Sequence, residues 1–349
     1  MFDFMAAGWC DVRTKERRLL CGLETCSVRA NKKKFGEKQG LYVNASMYNS
    51  RMVKSRKKLR VRRHFRDVIR LVNSVVNDGE HDEVELIHQL RTEARRADAV
   101  LNLFVNVLPH GRTKRVRRRL AIIRKKAGRV RDLDVFAVVF SQIRNQLPNQ
   151  LWNLVDERVK SDRVIAMYSL RRYCRKLLKV RFDKRVRAVI SLMLWRRVLS
   201  NGNANVPGVE AINRLAAKFF RSIDFVKRDE RLFHEVRIQG RRLRYTLDLL
   251  SDVLPKNEAV SICASLSLIQ EKLGTAHDQI SALNFLRSCS PESLPMRLSL
   301  FKFAELWQEE IDVLIKIIVQ ESIDEAERLH LRIAELACWN LAGHKKIVQ

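Results

Sequence analysis

Glycine and proline are scarce in this chain, 12 and 6 of 349 residues, together about 5% against the roughly 12% of ordinary usage. That excludes a collagen-like chain, a linker-like low-complexity chain and a turn-rich β-sandwich. No C-x-x-C pair occurs among the seven cysteines, Cys10, Cys21, Cys26, Cys174, Cys263, Cys289 and Cys338. They read as reduced thiols, mostly buried, of an intracellular protein. Apolar runs are short: Val189 to Trp195, one of the longest, is under half the roughly 18 residues of a membrane span, so no membrane insertion is expected. Asp3 stands where an export signal needs positive charge, and Met1 to Trp9 is too short for its apolar core; a cytoplasmic location is expected. Also missing are H-E-x-x-H, a P-loop and a Gly-rich nucleotide loop, which leaves no support for an enzyme of those classes and no cofactor to assign.

Acidic residues are outnumbered, 39 Asp and Glu against 68 Lys and Arg, for a net charge of +29 and a pI near 10.4. A field of that sign gathers polyanions, so nucleic acid, an anionic membrane surface and inorganic polyphosphate are the partners to separate. With 46% of residues hydrophobic, the chain has ample material for a core, and its length suits about two packing units.

Residues 1–55 lack sustained periodicity and read as a basic, poorly ordered extension. From there to residue 342 the apolar residues recur at spacings of three and four, with punctuation only at Gly79, Pro109 with Gly111, Gly128, Pro148, Asn201 to Gly208, Pro255, Gly274, and Pro291 with Pro295. No alternating β-branched stretch competes, so the expected fold is all-α. The cluster 201–208 is the expected linker between a half at about 56–200 and a half at about 209–342, with 343–349 as a tail.

The two halves repeat one another. His88-Gln-Leu-Arg91-Thr-Glu-Ala-Arg95-Arg96 returns as His234-Glu-Val-Arg237-Ile-Gln-Gly-Arg241-Arg242 at an offset of 146, and without a gap Leu101, Leu108, Pro109, Leu120, Ile123, Lys126, Gly128 and Asp132 find identical residues. A gap-free match over 45 residues points to an internal duplication of one helical unit. At 100° per residue from His88, Arg91 falls at about 300° and Arg95 at about 340°, while Leu86, Ile87, Leu90, Ala94, Leu101 and Leu108 fall between about 160° and 260°. His234, Arg237, Arg241 and Tyr245 form the same stripe in the second copy, opposite Phe233, Val236, Leu243, Leu247 and Leu254. Any charged face is well solvated, but solvation does not require the same residue types to recur at the same positions.

Arginine presents a planar fork of donors that matches phosphate oxygens two at a time. Three per copy form a phosphate ladder, to which His88 and His234 can add hydrogen bonds. The second shared element, Lys126-Ala-Gly128-Arg129-Val-Arg131-Asp132 and Lys272-Leu-Gly274-Thr-Ala-His277-Asp278, reads as a turn, with Gly past a helix end and Asp capping the next helix. Lys126, Arg129, Arg131, Lys272 and His277 would then supplement an anion held at that helix start. Arg112, Lys114, Arg115, Arg117, Arg118, Arg119, Arg124 and Lys125 have almost no counterpart in the second copy and read, with the basic residues 54–63, as a peripheral attractor.

The doubled H-x-x-R-x-x-x-R-R helix followed by G-x-x-R/H-D, in a basic all-helical chain, resembles the CHAD domain (conserved histidine α-helical domain) over about residues 58–342. The resemblance implies two pseudo-symmetric antiparallel four-helix bundles whose motif helices face a shared basic cleft. It also implies non-catalytic binding of inorganic polyphosphate, with association with polyphosphate granules in some members. The family's basic positions fall on His88, Arg91, Arg95, Arg96, His234, Arg237, Arg241, Arg242 and Arg244. Asp98 departs from the basic residue that Arg244 supplies in the second copy, and Ala99 stands opposite Tyr245. Nucleic acid is the second choice of partner: with Tyr245 alone on either stripe, there is little aromatic surface on which bases could stack, although backbone binding needs only charge.

Overall fold

Helix starts follow local chemistry. The Asp82 side chain accepts hydrogen bonds from the backbone N–H groups of Val84 and Glu85, and Glu83 and Glu85 fill the first turn of the helix it caps. Pro109 and Pro148 each stand immediately before a long helix, and Pro207 is the first residue of another, positions where a missing N–H costs nothing. In the computed structural model the described residues are 62–77, 82–105, 108–191, 207–251, 254 and 256–342. The expected extension 1–55, residues 201–206 of the expected linker and the tail 343–349 lie outside them.

The described residues form nine α-helices and no strand. They are α1 (62–77), α2 (Glu83–Leu103), α3 (His110–Gln142), α4 (Asn149–Lys179), α5 (Phe182–Ser191), α6 (Pro207–Val226), α7 (Phe233–Leu250), α8 (Lys256–Arg287) and α9 (Leu294–Ala342), with 3-10 turns at Arg144–Gln146 and Glu230–Leu232. The all-α bundle expected from periodicity is the fold found. None of the described helices is long and apolar enough to cross a membrane.

The apolar stripes of both motif helices are buried as the wheel requires: Ile87, Leu90, Ala94 and Leu101 on α2, and Phe233, Val236, Leu243 and Leu247 on α7. They feed two cores. One collects α1 to α5 and takes in Ala282, Leu283, Phe285 and Leu286 of α8 and Leu300, Ala304, Trp307 and Ile311 of α9. The other joins α6, α7, the earlier turns of α8 and Ile318 to Ile333 of α9. The long α9 therefore serves both cores, and the two halves of the sequence share packing rather than standing apart.

Phe136 and Phe140 of α3, Phe285 of α8 and Trp307 of α9 form the principal weld, with ring centroids 5.1 Å (Phe136 to Phe285), 6.1 Å (Phe140 to Phe285) and 6.0 Å (Phe140 to Trp307) apart. A polar tie closes the first half. Glu83 accepts from Arg163 (2.7 Å) and Arg171 (2.9 Å) of α4, and Arg163 also donates to the buried Asp134 of α3 (2.7 Å). Cys174 and Cys289 are buried and unbridged, and burial pushes the Cys174 thiol up to about 12, which makes it inert.

Across the junction, α2 lies against α7 and α3 against α8. Each matched helix thus meets its own counterpart, and whatever faces that junction is presented twice. Truncation of the weld should be costly: Phe140→Ala, at a site 1% exposed, is expected to lose about 3–5 kcal/mol in urea unfolding. A loss under about 1 kcal/mol would show that this ring does little to hold α3 against α8 and α9 in the first core.

Candidate anion site

Arg91 and Arg95 on α2 and Arg237 and Arg241 on α7 converge where the two helices meet. None of the four is fully exposed, and the three with lowered pKa share a cause: burial pulls Arg95, Arg237 and Arg241 below the ordinary guanidinium value. Neighbouring guanidiniums add to it, Arg91 acting on all three and Arg237 on both Arg95 and Arg241. The ordinary value lies so high that these groups stay cationic at neutral pH. The Nε atoms of Arg91 and Arg237 are buried without a hydrogen-bond partner. Tyr245 is buried beside Arg95 and Arg241, with the Arg244 guanidinium 5.3 Å from its ring centroid.

The element expected to be a turn is helix. Gly128 and Gly274 lie inside α3 and α8, neither has a positive φ, and Asp132 and Asp278 are mid-helix residues rather than caps. No helix start exists there to hold an anion. The glycines serve another purpose: a Cβ on Gly128 would lie 3.6 Å from Arg91 Cζ, and one on Gly274 3.8 Å from Arg237 Nη2. Each missing side chain leaves room for the guanidinium of the partner helix. The aspartates are counter-ions. Arg91 donates to Asp132 at 2.9 Å, and Asp278 faces Arg237, Arg91 and Arg131 as well as Asp132. Burial, reinforced by the Asp132 charge, raises the Asp278 pKa against the pull of those arginines.

The continuous helix also decides which neighbours of the glycines face the site. Residues three and four beyond Gly share its face, so Arg131 comes beside His88, and His277 comes within 5.2 Å of His234, ring centroid to ring centroid. Lys126 and Lys272, two residues before the glycines, lie about 200° round the helix. Lys126 donates to Ser169 of α4 (2.6 Å) and Lys272 pairs with Glu321 of α9 (2.7 Å). Arg129 likewise points to α4, pairing with Asp162 (3.2 Å). Of the residues expected to bind, these three are not brought to the cluster.

Arg96 is held by Glu93 (2.6 Å), whose other oxygen meets His64 Nδ1 of α1 at 2.8 Å. Arg242 is exposed beside Gln239, and Arg244 donates to Ser267 (2.9 Å) at the edge of the cluster. In the first copy Asp98 engages Arg117 (3.0 Å) and Arg124 (2.6 Å), so one carboxylate is shared between those two members of the basic run and offsets half of their charge.

Five guanidiniums, Arg91, Arg95, Arg131, Arg237 and Arg241, thus share a small volume with two carboxylates and three imidazoles. The profile of the CHAD domain matches residues 60–287. The chain belongs to the CHAD domain family. Solved structures that share its fold include the crystal structure of the CHAD domain from the plant Ricinus communis (17% identity, TM-score 0.54, covering 80% of this chain and 91% of that one) and PptA from Streptomyces chartreusis (15%, 0.56, 77% and 98%). No curated protein is significantly similar in sequence. The CHAD match ends at the last residue of α8, so the whole of α9 lies beyond it.

The cluster makes the histidines proton acceptors in waiting. Burial and the adjacent cations, Arg131 for His88 and Arg237 for His234 and His277, hold all three below 6.5, His277 at about 4. The folded chain therefore binds fewer protons than the unfolded one and loses stability as pH falls below 6.5. A polyanion reverses the field and raises the same pKa values. Affinity for a polyanion should therefore rise as pH falls from 8 to 5, by up to about tenfold per pH unit for each proton taken up. Calorimetry in buffers of different ionisation enthalpy should show proton uptake, diminished in His234→Ala with His277→Ala; uptake of none would place the anion elsewhere. The glycines give a second check. Gly128→Ala should gain up to about 1 kcal/mol of helix stability and keep binding, whereas Gly128→Leu should displace Arg91 and weaken binding with unchanged circular dichroism.

Proposed function

We propose that the protein binds inorganic polyphosphate, without chemical turnover, along the arginine cluster between α2 and α7. The observation that carries this reading is the set Arg91, Arg95, Arg237 and Arg241, drawn together with too few carboxylates to neutralise it. Such an arrangement is costly in the free protein, because like charges are held close and partly out of water. A ligand bearing a charge on every repeat returns that cost and pairs with the forks in their preferred two-point geometry. The aromatic content favours a chain of phosphates over one of bases: Tyr245 is buried under the cluster and is not presented as a stacking platform.

Membership in the CHAD family and likeness to PptA support the reading at the level of fold. Repetition of the same residue types at the offset of 146, together with the contact of each matched helix with its counterpart, supports descent of the two halves from one duplicated unit and a binding groove with two equivalent walls. Catalysis has little to draw on. Asp132 and Asp278 stand among arginines that repel a metal ion, and among the described residues no group of three or more His, Cys, Asp or Glu side chains is placed to hold one. A cytoplasmic site of action, with granule association, is part of the same proposal.

Arg91→Ala combined with Arg237→Ala removes two charge-assisted contacts of about 1.5–3 kcal/mol each, so affinity for long-chain polyphosphate should fall by about 100-fold or more. Arg214→Ala with Lys218→Ala, an equal loss of charge from exposed positions of α6, should cost only a few-fold and mainly slow association at low salt. Equal losses in two folded variants would mean a diffuse polycation. RNA of matched length should be displaced by polyphosphate at physiological salt; the opposite ranking would make nucleic acid the ligand.

A further inference from the structure

Away from the α2–α7 junction, a second group of cations stands without counter-ions where α3, α4 and α5 meet. Arg119 of α3 lies with its Cζ 6.0 Å from the ring centroid of the buried Phe182, the first residue of α5. Its Nη1 is buried and has no hydrogen-bond partner. Arg185 of α5 and Arg115 of α3 are its charged neighbours, and Tyr173 of α4 is near enough to feel the charge of both Arg119 and Arg118. Among the described residues no carboxylate acts on Arg119 or Tyr173. Arg115 and Arg118 make no ion pair with any described residue, whereas the adjacent Arg117 and Arg124 are both held by Asp98 and Arg187 by Asp183.

The backbone at this corner is built to place Arg185. Arg181, between α4 and α5, is the one non-glycine among the described residues with positive φ, at 50°, a left-handed conformation that costs about 1 kcal/mol or more for a side chain of this kind. The sharp turn it makes brings Phe182 against Arg119, and Arg185 Nε bonds back to the carbonyl of Val180 at 3.1 Å. The fold itself does not ask for the charge. At the matched positions of α8, 146 residues on, Arg115, Arg118 and Arg119 are answered by Ser261, Ala264 and Ser265, and α8 is as regular a helix as α3.

We infer that Arg115, Arg118, Arg119 and Arg185 form a second binding site for phosphate chains, walled by Phe182 and offering the Tyr173 hydroxyl as a further hydrogen-bonding group. The site takes phosphoryl oxygens by the same two-point chemistry as the central cluster, but it is separate from it. Arg119 and Arg131 are twelve residues apart on α3, about 18 Å along the axis and about 120° round it. A short phosphate chain cannot touch both, and a long one that reaches both gains from the raised effective concentration of its free end. The inference rests on the polyphosphate reading for its choice of ligand and on its own residues for the site.

The test is calorimetric titration of the full-length protein with tripolyphosphate at pH 7.5, read as stoichiometry and affinity for each site. The expected result is two tripolyphosphate ions per chain. Arg115→Ser with Arg119→Ser, which installs the residues α8 already carries, should remove one of them or weaken it at least tenfold and leave the other intact. Arg185→Ala should weaken the same site in a protein altered only at an exposed position. Arg91→Ala with Arg237→Ala should spare it. A single ion in the wild type, lost with Arg91 and Arg237 and indifferent to Arg115 and Arg119, overturns this inference and leaves the proposed function standing. A single ion lost only with Arg115 and Arg119 overturns the central site and upholds this one, and absence of any binding overturns both.

Discussion

The structure turns on the repulsion among Arg91, Arg95, Arg237 and Arg241. Four guanidiniums are carried to one place by two helices, and burial together with mutual proximity lowers the pKa of Arg95, Arg237 and Arg241 below ordinary. Nothing local to either helix favours this. Apolar packing elsewhere supplies the compensating free energy: the two cores share α8 and α9, and the Phe136, Phe140, Phe285 and Trp307 cluster fixes α3 against both. The result is a packed frame that carries an electrostatic load, which an anion would relieve.

The load is relieved in part from within. Asp132 takes one hydrogen bond from Arg91, and Asp278 lies among Arg237, Arg91 and Arg131. These carboxylates keep the free protein tolerable and set a threshold for ligands, since an anion must interact with the arginines at least as well as they do. Under the proposed function, a chain of phosphates would meet that threshold through number, each additional repeat being offered another fork. The histidines bear on the same balance: burial and the neighbouring arginines hold their pKa values below the ordinary imidazole value, and an added negative charge would raise them.

The asymmetry between the halves is as informative as the match. Where the second half has Arg244 beside Tyr245, the first has Asp98, which is shared between Arg117 and Arg124. Where the first half has Arg115, Arg118 and Arg119 around Tyr173, the second has small neutral residues. One half thus contributes an aromatic floor to the central cluster, and the other carries a separate basic corner.

The sequence by itself determined the fold class, the motif helices and which of their faces are apolar, because amphipathic period is a local property: Ile87, Leu90, Leu101, Val236, Leu243 and Leu247 are buried as the 3.6-residue repeat requires. The arginine stripes were equally legible, since identical residue types recur at a fixed offset. What lay beyond the sequence was the meaning of Gly128 and Gly274. Glycine marks both helix ends and close approaches, and only the position of Arg91 over one and Arg237 over the other identifies the second use. From that difference followed the misplacement of Lys126, Arg129 and Lys272: a turn would have turned them toward the anion, whereas a continuous helix sends them to Ser169, Asp162 and Glu321. Tertiary structure alone decided which charges oppose one another, since the meeting of α2 with α7 depends on contacts between residues about 146 apart, a distance over which no local pattern carries information.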